Sequence, residues 1–128
     1  MQTILIVDDD KSIRYSLKRM LEEKYSILTA HNGEEALERI KENSPDLIIM
    51  DIKMPGRNGI DVLKEIKTID PKSLVIMMTA YGSVDTAVEA MKRGAWHFVT
   101  KPLNLEALDL LIKRAIRSRN LEQENKSL

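Results

Sequence analysis

Several short apolar runs in this sequence end at residues that could do chemistry together. The first run is followed by consecutive aspartates, another ends at a single aspartate, and two more close with a threonine and a lysine. These residues are Asp8-Asp9-Asp10, Asp51, Thr79 and Lys101. Carboxylates crowded into one space repel one another unless a cation offsets their charge. If the ends of the runs meet in space, their residue types therefore predict a metal site.

Oxygen ligands without histidine or cysteine favour a hard cation, Mg2+ or in its place Mn2+. Sites that handle phosphate use Mg2+ in this way, and an aspartate beside the ion can act as a nucleophile that forms an acyl phosphate. Such a transfer also needs a positive charge and a hydroxyl, which Lys101 and Thr79 supply. The ordinary alternative, aspartate as a helix N-cap, fits Asp10 but does not account for Asp51, which follows a buried run.

The runs read as strands that alternate with amphipathic helical stretches. The predicted strands are Thr3–Val7, Ser26–Ala30, Asp46–Met50, Leu74–Thr79 and His97–Thr100. Most are continuously apolar, as in parallel strands that are covered on both faces. Five repeats of strand and helix predict an α/β fold, a doubly wound five-stranded parallel sheet with helices on both faces. The carboxyl ends of such strands lie at one edge, where ligands bind.

Two local patterns make further predictions. Asn32 followed by Glu35 has the spacing of a helix N-cap with a reciprocal acidic partner. Apolar residues at helical spacing form a stripe on the fourth helix and predict that it is amphipathic. This stripe consists of Val84, Ala87, Val88 and Met91.

The composition narrows the class of protein. The chain has 128 residues, with 20 acidic and 20 basic side chains and no cysteine. Balanced charge gives no global attraction to nucleic acid, and no apolar run approaches the roughly 20 residues of a membrane helix. The absence of cysteine excludes a disulfide scaffold and a thiolate nucleophile. We therefore expect a cytoplasmic domain that neither binds DNA directly nor enters a membrane.

From Arg119 the sequence becomes polar, with Leu121 and Leu128 one heptad apart. A single heptad pair leaves two interpretations open, a solvated helix end that starts a linker or the beginning of a coiled coil. We expect residues 1–118 to form the domain and residues 119–128 to begin a helical linker.

Four motifs, each at a strand end, make the chain similar to the receiver domain of bacterial two-component response regulators. The resemblance covers about residues 3 to 118. The motifs are Ile6-Val7-Asp8-Asp9-Asp10, Asp51-Ile52-Lys53-Met54-Pro55-Gly56 with Gly59, Met78-Thr79-Ala80, and Lys101-Pro102. The resemblance implies a flavodoxin-like fold with strand order 2-1-3-4-5. It also implies a phosphoryl group delivered by a histidine kinase, and chemistry limited to the chain's own phosphorylation and dephosphorylation rather than enzymatic turnover.

The resemblance assigns a role to each matching position. Asp51 is expected to accept the phosphoryl group and, with Asp9, to bind Mg2+ directly. Asp8 is expected to act through a metal-bound water, and the backbone carbonyl of Lys53 to be a third protein ligand. Lys101 is expected to pair with the phosphoryl oxygens, across a cis peptide bond to Pro102.

The resemblance also implies a switch. The Thr79 hydroxyl moves towards the phosphoryl group, and Phe98 fills the space that it leaves, although Phe98 fits an ordinary core position equally well. The implied output face comprises the fourth helix, the fifth strand and the fifth helix, with Met91, Trp96 and His97 on it. His97 stands where the family often has an acidic residue, which removes any salt bridge expected there. A homodimer through this face is expected.

Residues 78–84 and 87–91 are most similar to receivers of the NtrC type, which precede a transcription-activating ATPase domain. The chain is then expected to be part of a longer protein, and a stand-alone receiver that docks to a partner is the alternative. A haloacid-dehalogenase-type phosphatase would need an aspartate at position 53, where this chain has Lys53. A flavodoxin-like flavin binder would need a phosphate loop after the first strand, where three aspartates stand.

Overall fold

The structure, a computed structural model, describes the backbone of residues 1–80 and 83–127 and the side chains of that range up to Leu121. Strands and helices alternate along it, as the sequence predicts. The elements are β1 (Thr3–Val7), α1 (Lys11–Leu21), β2 (Ser26–Ala30), α2 (Gly33–Asn43), β3 (Leu47–Asp51), α3 (Gly59–Ile69), β4 (Val75–Ala80), α4 (Val84–Lys92), β5 (His97–Lys101) and α5 (Leu105–Ser127).

The strands form one parallel sheet in the order β2-β1-β3-β4-β5, which confirms the flavodoxin-like topology. β1 and β3 are neighbours although β2 lies between them in sequence, so the direction of winding reverses at this pair. Ligands of open α/β sheets bind beyond the strand ends at such a reversal. A ligand site is therefore expected at the carboxyl ends of β1 and β3.

Three of the strands differ from the prediction by one residue at one or both ends. β3 runs from Leu47 to Asp51, and Asp51 is in register with Met78. The Asp46 carboxylate, just before the strand, accepts a hydrogen bond from the Thr3 amide at 2.8 Å. β4 likewise begins at Val75 and ends at Ala80. β5 extends to Lys101, which is in register with Ala80. Asp51 and Lys101 are thus held by the sheet itself.

Alternating residues of the central strands face two separate core clusters. Leu5 and Val7 of β1 pack on the side that carries α2 and α3, while Ile4 and Ile6 pack on the side that carries α1 and α5. Both faces of the sheet are therefore buried, which explains why the strands are continuously apolar rather than alternating.

The helix starts follow local side-chain chemistry. Asp10 caps α1 by accepting from the Ser12 amide at 2.8 Å, as predicted. Asn32 caps α2 by accepting from the Glu35 amide at 2.9 Å, but the predicted reciprocal contact is wrong. The carboxylate of Glu35 instead lies 3.0 Å from Nδ1 of His31.

The predicted helix with its apolar stripe is present as α4, and only part of the stripe is buried. Ala87 is buried, but Val84, Val88 and Met91 are 69%, 47% and 41% exposed. The helix rests on the sheet through its alanines, Ala87 and Ala90, so its larger apolar side chains point outward. Periodicity identifies an apolar stripe but not the part of it that faces the core.

α5 continues without a break across the boundary predicted between residues 118 and 119. Arg119 Nε lies 3.0 Å from Asp46 Oδ1, and the Gln2 side-chain amide donates to Asn120 Oδ1 at 3.3 Å. Leu128, paired with Leu121 in the heptad prediction, lies outside the described residues. Within the described part of the chain, no helix combines the length and apolar character needed to cross a bilayer.

Candidate functional site

The carboxyl ends of four strands bring the predicted site residues to one edge of the sheet. Asp8 directly follows β1, and Asp51 is the last residue of β3. Thr79 is the residue before the end of β4, and Lys101 is the last residue of β5. Because the strands are parallel and in register, Asp8, Asp51 and Lys101 meet at this edge, and Thr79 lies at the same edge of the sheet.

Lys101 joins the two buried carboxylates. Its Nζ lies 2.9 Å from Asp8 Oδ2 and 2.9 Å from Asp51 Oδ2. Asp8 is completely buried and Asp51 is 5% exposed, whereas the Lys101 side chain is 24% exposed. Strongly buried charges need such partners, because burial removes the water that would otherwise stabilise them.

The protonation behaviour follows from this packing. Burial raises the pKa of Asp8, and the charge of Asp51 adds to the effect, while hydrogen bonds from the Asp10 amide and Lys101 oppose it. Burial alone lowers the pKa of Lys101, but its bonds to Asp8 and Asp51 outweigh burial and raise that pKa above its ordinary value. The lysine is therefore firmly cationic in the folded protein.

A third carboxylate completes the cluster. One oxygen each from Asp8, Asp9 and Asp51 lies within 4.8 Å of the others, and Asp9 is exposed at the mouth. Three carboxylates against one ammonium leave two negative charges, as expected for a site that receives a divalent cation. The donors are all carboxylate oxygens, which fit Mg2+ or Mn2+ rather than a metal that prefers nitrogen or sulfur.

Backbone groups fix the carboxylates further. Asp8 Oδ1 accepts from the Asp10 amide at 2.9 Å, and Asp51 Oδ1 accepts from the Lys53 amide at 3.2 Å. The Lys53 side chain is exposed, and the contact with Asp51 is made by its backbone amide. The Lys101–Pro102 peptide bond is cis, as the resemblance implies.

The switch residues predicted from the sequence surround a cavity beneath α4. Thr79 is buried, and its hydroxyl donates to the Val99 carbonyl at 3.4 Å. Thr79 lines a cavity of about 430 Å³ beside α4, to whose walls Phe98, Ala87 and Met91 also contribute. Phe98 is half-buried against the core cluster on that side of the sheet. The threonine and the aromatic ring thus line the same open space.

The predicted output-face residues occupy different environments. Met91 and His97 are exposed, and His97 Nδ1 lies 2.8 Å from the Phe98 amide nitrogen. Trp96 is half-buried and packs against the core cluster shared with α1 and α5.

Sequence reasoning missed several residues around the site. Arg14 Nη1 donates to the Asp8 carbonyl at 2.6 Å, and Asn58 caps α3 through the Asp61 amide at 3.0 Å. Arg57 lies beside Glu34 and Glu65. The Asn-to-Asp spacing at the start of α3 could have revealed the cap. Nothing in the local sequence of Arg14 or Arg57 predicts which groups they contact.

Gly59 makes the closest backbone approach to the site. Its amide donates to the Ile52 carbonyl at 2.6 Å, and a Cβ atom there would lie 2.5 Å from the Asp51 carbonyl oxygen. Only glycine allows α3 to begin so near the end of β3.

Comparison with known proteins gives one consistent result. The sequence profile of the family described as "Response regulator receiver domain" matches residues 4–113. The transcriptional regulatory protein ZraR of Klebsiella oxytoca is 45% identical over 121 residues, covering 94% of this chain and 27% of that protein. The DNA-binding transcriptional regulator NtrC of Escherichia coli (strain K12) is 37% identical over 126 residues, covering 98% of this chain and 27% of that protein. The chain thus spans about a quarter of the length of these relatives.

Solved structures agree. A response regulator receiver domain protein from Clostridium thermocellum has a TM-score of 0.88 at 39% identity, covering 94% of this chain and 98% of that chain. NtrX from Brucella abortus has a TM-score of 0.92 at 34% identity, covering 99% of this chain and 29% of that chain.

Proposed function

Because this chain belongs to the family of response regulator receiver domains, which act in two-component signalling, we propose that Asp51 accepts a phosphoryl group from a histidine kinase. The observation that carries the proposal is Lys101 Nζ at 2.9 Å from both Asp51 and Asp8. That contact gives the buried acceptor a fixed cation at the point where phosphate charge would arrive.

The transfer is a displacement at phosphorus. An oxygen of the Asp51 carboxylate attacks, the bond from phosphorus to the donor imidazole nitrogen breaks, and the electron pair of that bond stays on the imidazole. Lys101 holds the incoming phosphoryl oxygens by charge and hydrogen bonding, and the Lys53 amide keeps the other Asp51 oxygen in place. No group of the protein needs to move a proton to make Asp51 nucleophilic, because its carboxylate is already paired with a cation.

Asp9 and Asp51 would hold Mg2+, or Mn2+, directly, with the Lys53 carbonyl as a third ligand and Asp8 acting through a bound water. When bound, the ion supplies positive charge that offsets the repulsion between the carboxylates and the phosphoryl oxygens. The oxygen-only donor set and its excess of negative charge support this assignment.

Readout would begin at Thr79. Its hydroxyl exchanges the long 3.4 Å bond to Val99 for one to the phosphoryl group, and Phe98 turns into the cavity under α4. The equilibrium between two packed arrangements then shifts, which changes the face formed by α4, β5 and the start of α5. Met91, Trp96 and His97 lie on this face.

The wider assignment is also a proposal. Residues 1–118 form the receiver, and residues 119–128 lead through a helical linker towards a transcription-activating domain of the NtrC type. The domain pairs with a second copy through its output face, does not itself bind DNA, and works in the cytoplasm. The resemblance of the chain to a quarter of ZraR and of NtrC supports this arrangement. A stand-alone receiver that docks to a partner is the other outcome that the full gene would reveal.

The test is incubation of the chain with acetyl phosphate and MgCl2, followed by intact-mass measurement and Trp96 fluorescence. We expect wild type and the control Asp85→Asn, which alters an exposed aspartate of α4, to gain one phosphoryl group. Asp51→Asn should gain none, and a chelator should abolish the gain in wild type. Equal phosphorylation of Asp51→Asn and wild type would refute the assignment of the acceptor.

A further inference from the structure

Arg14, near the start of α1, brings a positive charge to the candidate site without a carboxylate partner of its own. Its Nη1 donates to the Asp8 carbonyl at 2.6 Å, and within the described part of the chain no carboxylate lies at ion-pair distance from it. A guanidinium has five N–H donors and stays charged throughout the physiological pH range. One hydrogen bond to a neutral carbonyl therefore leaves its charge and most of its donors available to a ligand.

Arg14 lines a cavity of about 650 Å³ that opens beside the carboxylate cluster. Asp9, which contributes one oxygen to that cluster, lines the same cavity. The other walls are the start of α2 and residues 55–57 of the connection between β3 and α3. Lys101 instead lines a different cavity, together with Pro102 and residues of α1. A donor whose phosphoryl oxygens reach Lys101 therefore has the cavity on the Asp9 side available for the rest of the molecule.

Most other charges that line this cavity have partners of opposite sign. Glu34 lies 3.4 Å from the Arg57 guanidinium, and His31 has its own carboxylate partner in α2 at 3.0 Å. Asp9 belongs to the carboxylate cluster that is assigned to the metal ion. Arg14 thus remains as the unmatched charge of the wall, and it is positive. The cavity therefore suits a ligand group that is negative.

We propose that Arg14 is a specificity-determining residue, which binds the carboxylate that leaves when an acyl phosphate donates its phosphoryl group to Asp51. This inference rests on the proposed function, since it assumes that Asp51 is the acceptor. In the transfer an Asp51 oxygen attacks phosphorus, the bond from phosphorus to the acyl oxygen breaks, and its electron pair stays on that oxygen as carboxylate charge. That charge grows in the transition state, where a guanidinium at the cavity wall stabilises it most.

A donor with a neutral leaving group should gain little from Arg14. In phosphoramidate the bond from phosphorus to a protonated nitrogen breaks, the electron pair stays on nitrogen, and ammonia leaves without charge. A purely structural role of Arg14, through its bond to the Asp8 carbonyl, would instead slow transfer from every donor alike. The charge of the leaving group therefore separates recognition of the donor from support of the fold.

The experiment compares acetyl phosphate with phosphoramidate by the second-order rate of phosphorylation in saturating MgCl2, followed by intact-mass measurement. We expect Arg14→Gln to lower the rate with acetyl phosphate about fivefold, as loss of one partly exposed ion pair allows, and the rate with phosphoramidate less than about twofold. Glutamine removes the charge but still offers an N–H donor for the Asp8 carbonyl. Arg14→Lys, which keeps the charge, should recover part of the rate with acetyl phosphate.

Arg19→Met is the matched control, because Arg19 is an exposed arginine of the same helix that lies over the Tyr15 ring, 6.0 Å from its centroid. It should react as wild type does with both donors. Equal slowing of Arg14→Gln with both donors would overturn the inference in favour of a structural role. Unchanged rates with both donors would overturn it as well.

The acceptor is tested apart from Arg14. Phosphoramidate should phosphorylate wild type but not Asp51→Asn. If wild type gains phosphate from neither donor, the proposed function itself is wrong. If wild type reacts with both donors and Arg14→Gln keeps the wild-type rates, the role of Arg14 alone fails. Thermal unfolding of Arg14→Gln should lie close to that of wild type, so that a lost fold is not mistaken for lost recognition.

Discussion

At the scale of single residues, Lys101 serves both states of the site in the phosphorylation that we propose. Before phosphorylation it bonds to Asp8 and Asp51 and offsets part of the charge of three carboxylates. After phosphorylation the same ammonium is available to the phosphoryl oxygens. Its pKa is raised in the folded state, so the stabilisation from its charge is present at neutral pH. That contribution is lost only as the pH rises above the ordinary value of 10.5 and through the raised pKa.

Lys101→Met should destabilise the metal-free protein. Removing one partner of a fully buried ion pair costs about 3–5 kcal/mol, and because Lys101 is partly exposed we expect about 2 kcal/mol. Excess Mg2+ should restore much of this loss by replacing the missing positive charge. Urea unfolding in chelator and in MgCl2 measures both quantities. An unchanged free energy of unfolding in chelator would contradict this role, and Lys113→Met, which breaks an exposed pair with Asp109, provides the control.

Much of this site can be predicted from the sequence, because strand ends are recognisable and parallel strands carry their carboxyl ends to one edge. Asp8, Asp51 and Lys101 meet for that reason, and Thr79 lies at the same edge. The contacts of Arg14 and Arg57 could not be predicted, since long side chains reach groups that are distant in sequence. The distances within the site also depend on register, which one-residue errors at β3 and β5 leave undetermined.

At the scale of elements, the short connection from β3 to α3 brings the start of the helix against the backbone at Asp51. α3 starts directly against the backbone of Asp51 and Ile52, and this approach exists only because residue 59 is glycine. Sequence periodicity predicts α3 but not this contact. It likewise predicts an apolar α4 but not its outward-facing valines, because an alanine-lined contact with the sheet leaves no recognisable period.

Substitutions at two glycines distinguish the cost of a steric collision with neighbouring backbone from the cost of a positive φ angle. Gly59→Ala should lower the free energy of unfolding by about 3 kcal/mol, because its Cβ would collide with rigid backbone. Gly56→Ala should cost only about 1 kcal/mol, because Gly56 has a φ of 78° but open space around it. Urea titration of both variants measures the difference. A smaller loss for Gly59→Ala than for Gly56→Ala would show that the connection can move away from α3.

At the scale of the whole molecule, β3 connects Asp51 at one end with a contact to α5 at the other. Asp51 ends the strand, and Asp46 directly precedes it and binds both the Thr3 amide and Arg119. The chain beyond the family match at residue 113 is therefore attached to the same sheet that carries the site. The boundary expected at residue 118 falls inside a continuous helix, in which Arg119 pairs with Asp46.

Arg119→Met should loosen the end of α5 without disturbing the site. The pair with Asp46 is partly buried, and its loss should cost about 1 kcal/mol. Hydrogen exchange should become several-fold faster at amides near Leu121, while β1 and β3 remain protected. Unchanged exchange near Leu121 would show that the ion pair does not anchor the helix. Phosphate uptake at Asp51 should equal that of wild type.

The identity of the phosphorylated residue tests the central claim most directly. After incubation with acetyl phosphate and MgCl2, borohydride reduction converts an aspartyl phosphate into homoserine, which peptide mass spectrometry can locate. We predict homoserine at position 51 alone, in wild type and not in Asp51→Asn. Homoserine at position 8 or 9, or none anywhere while the chain binds Mg2+, would contradict the account.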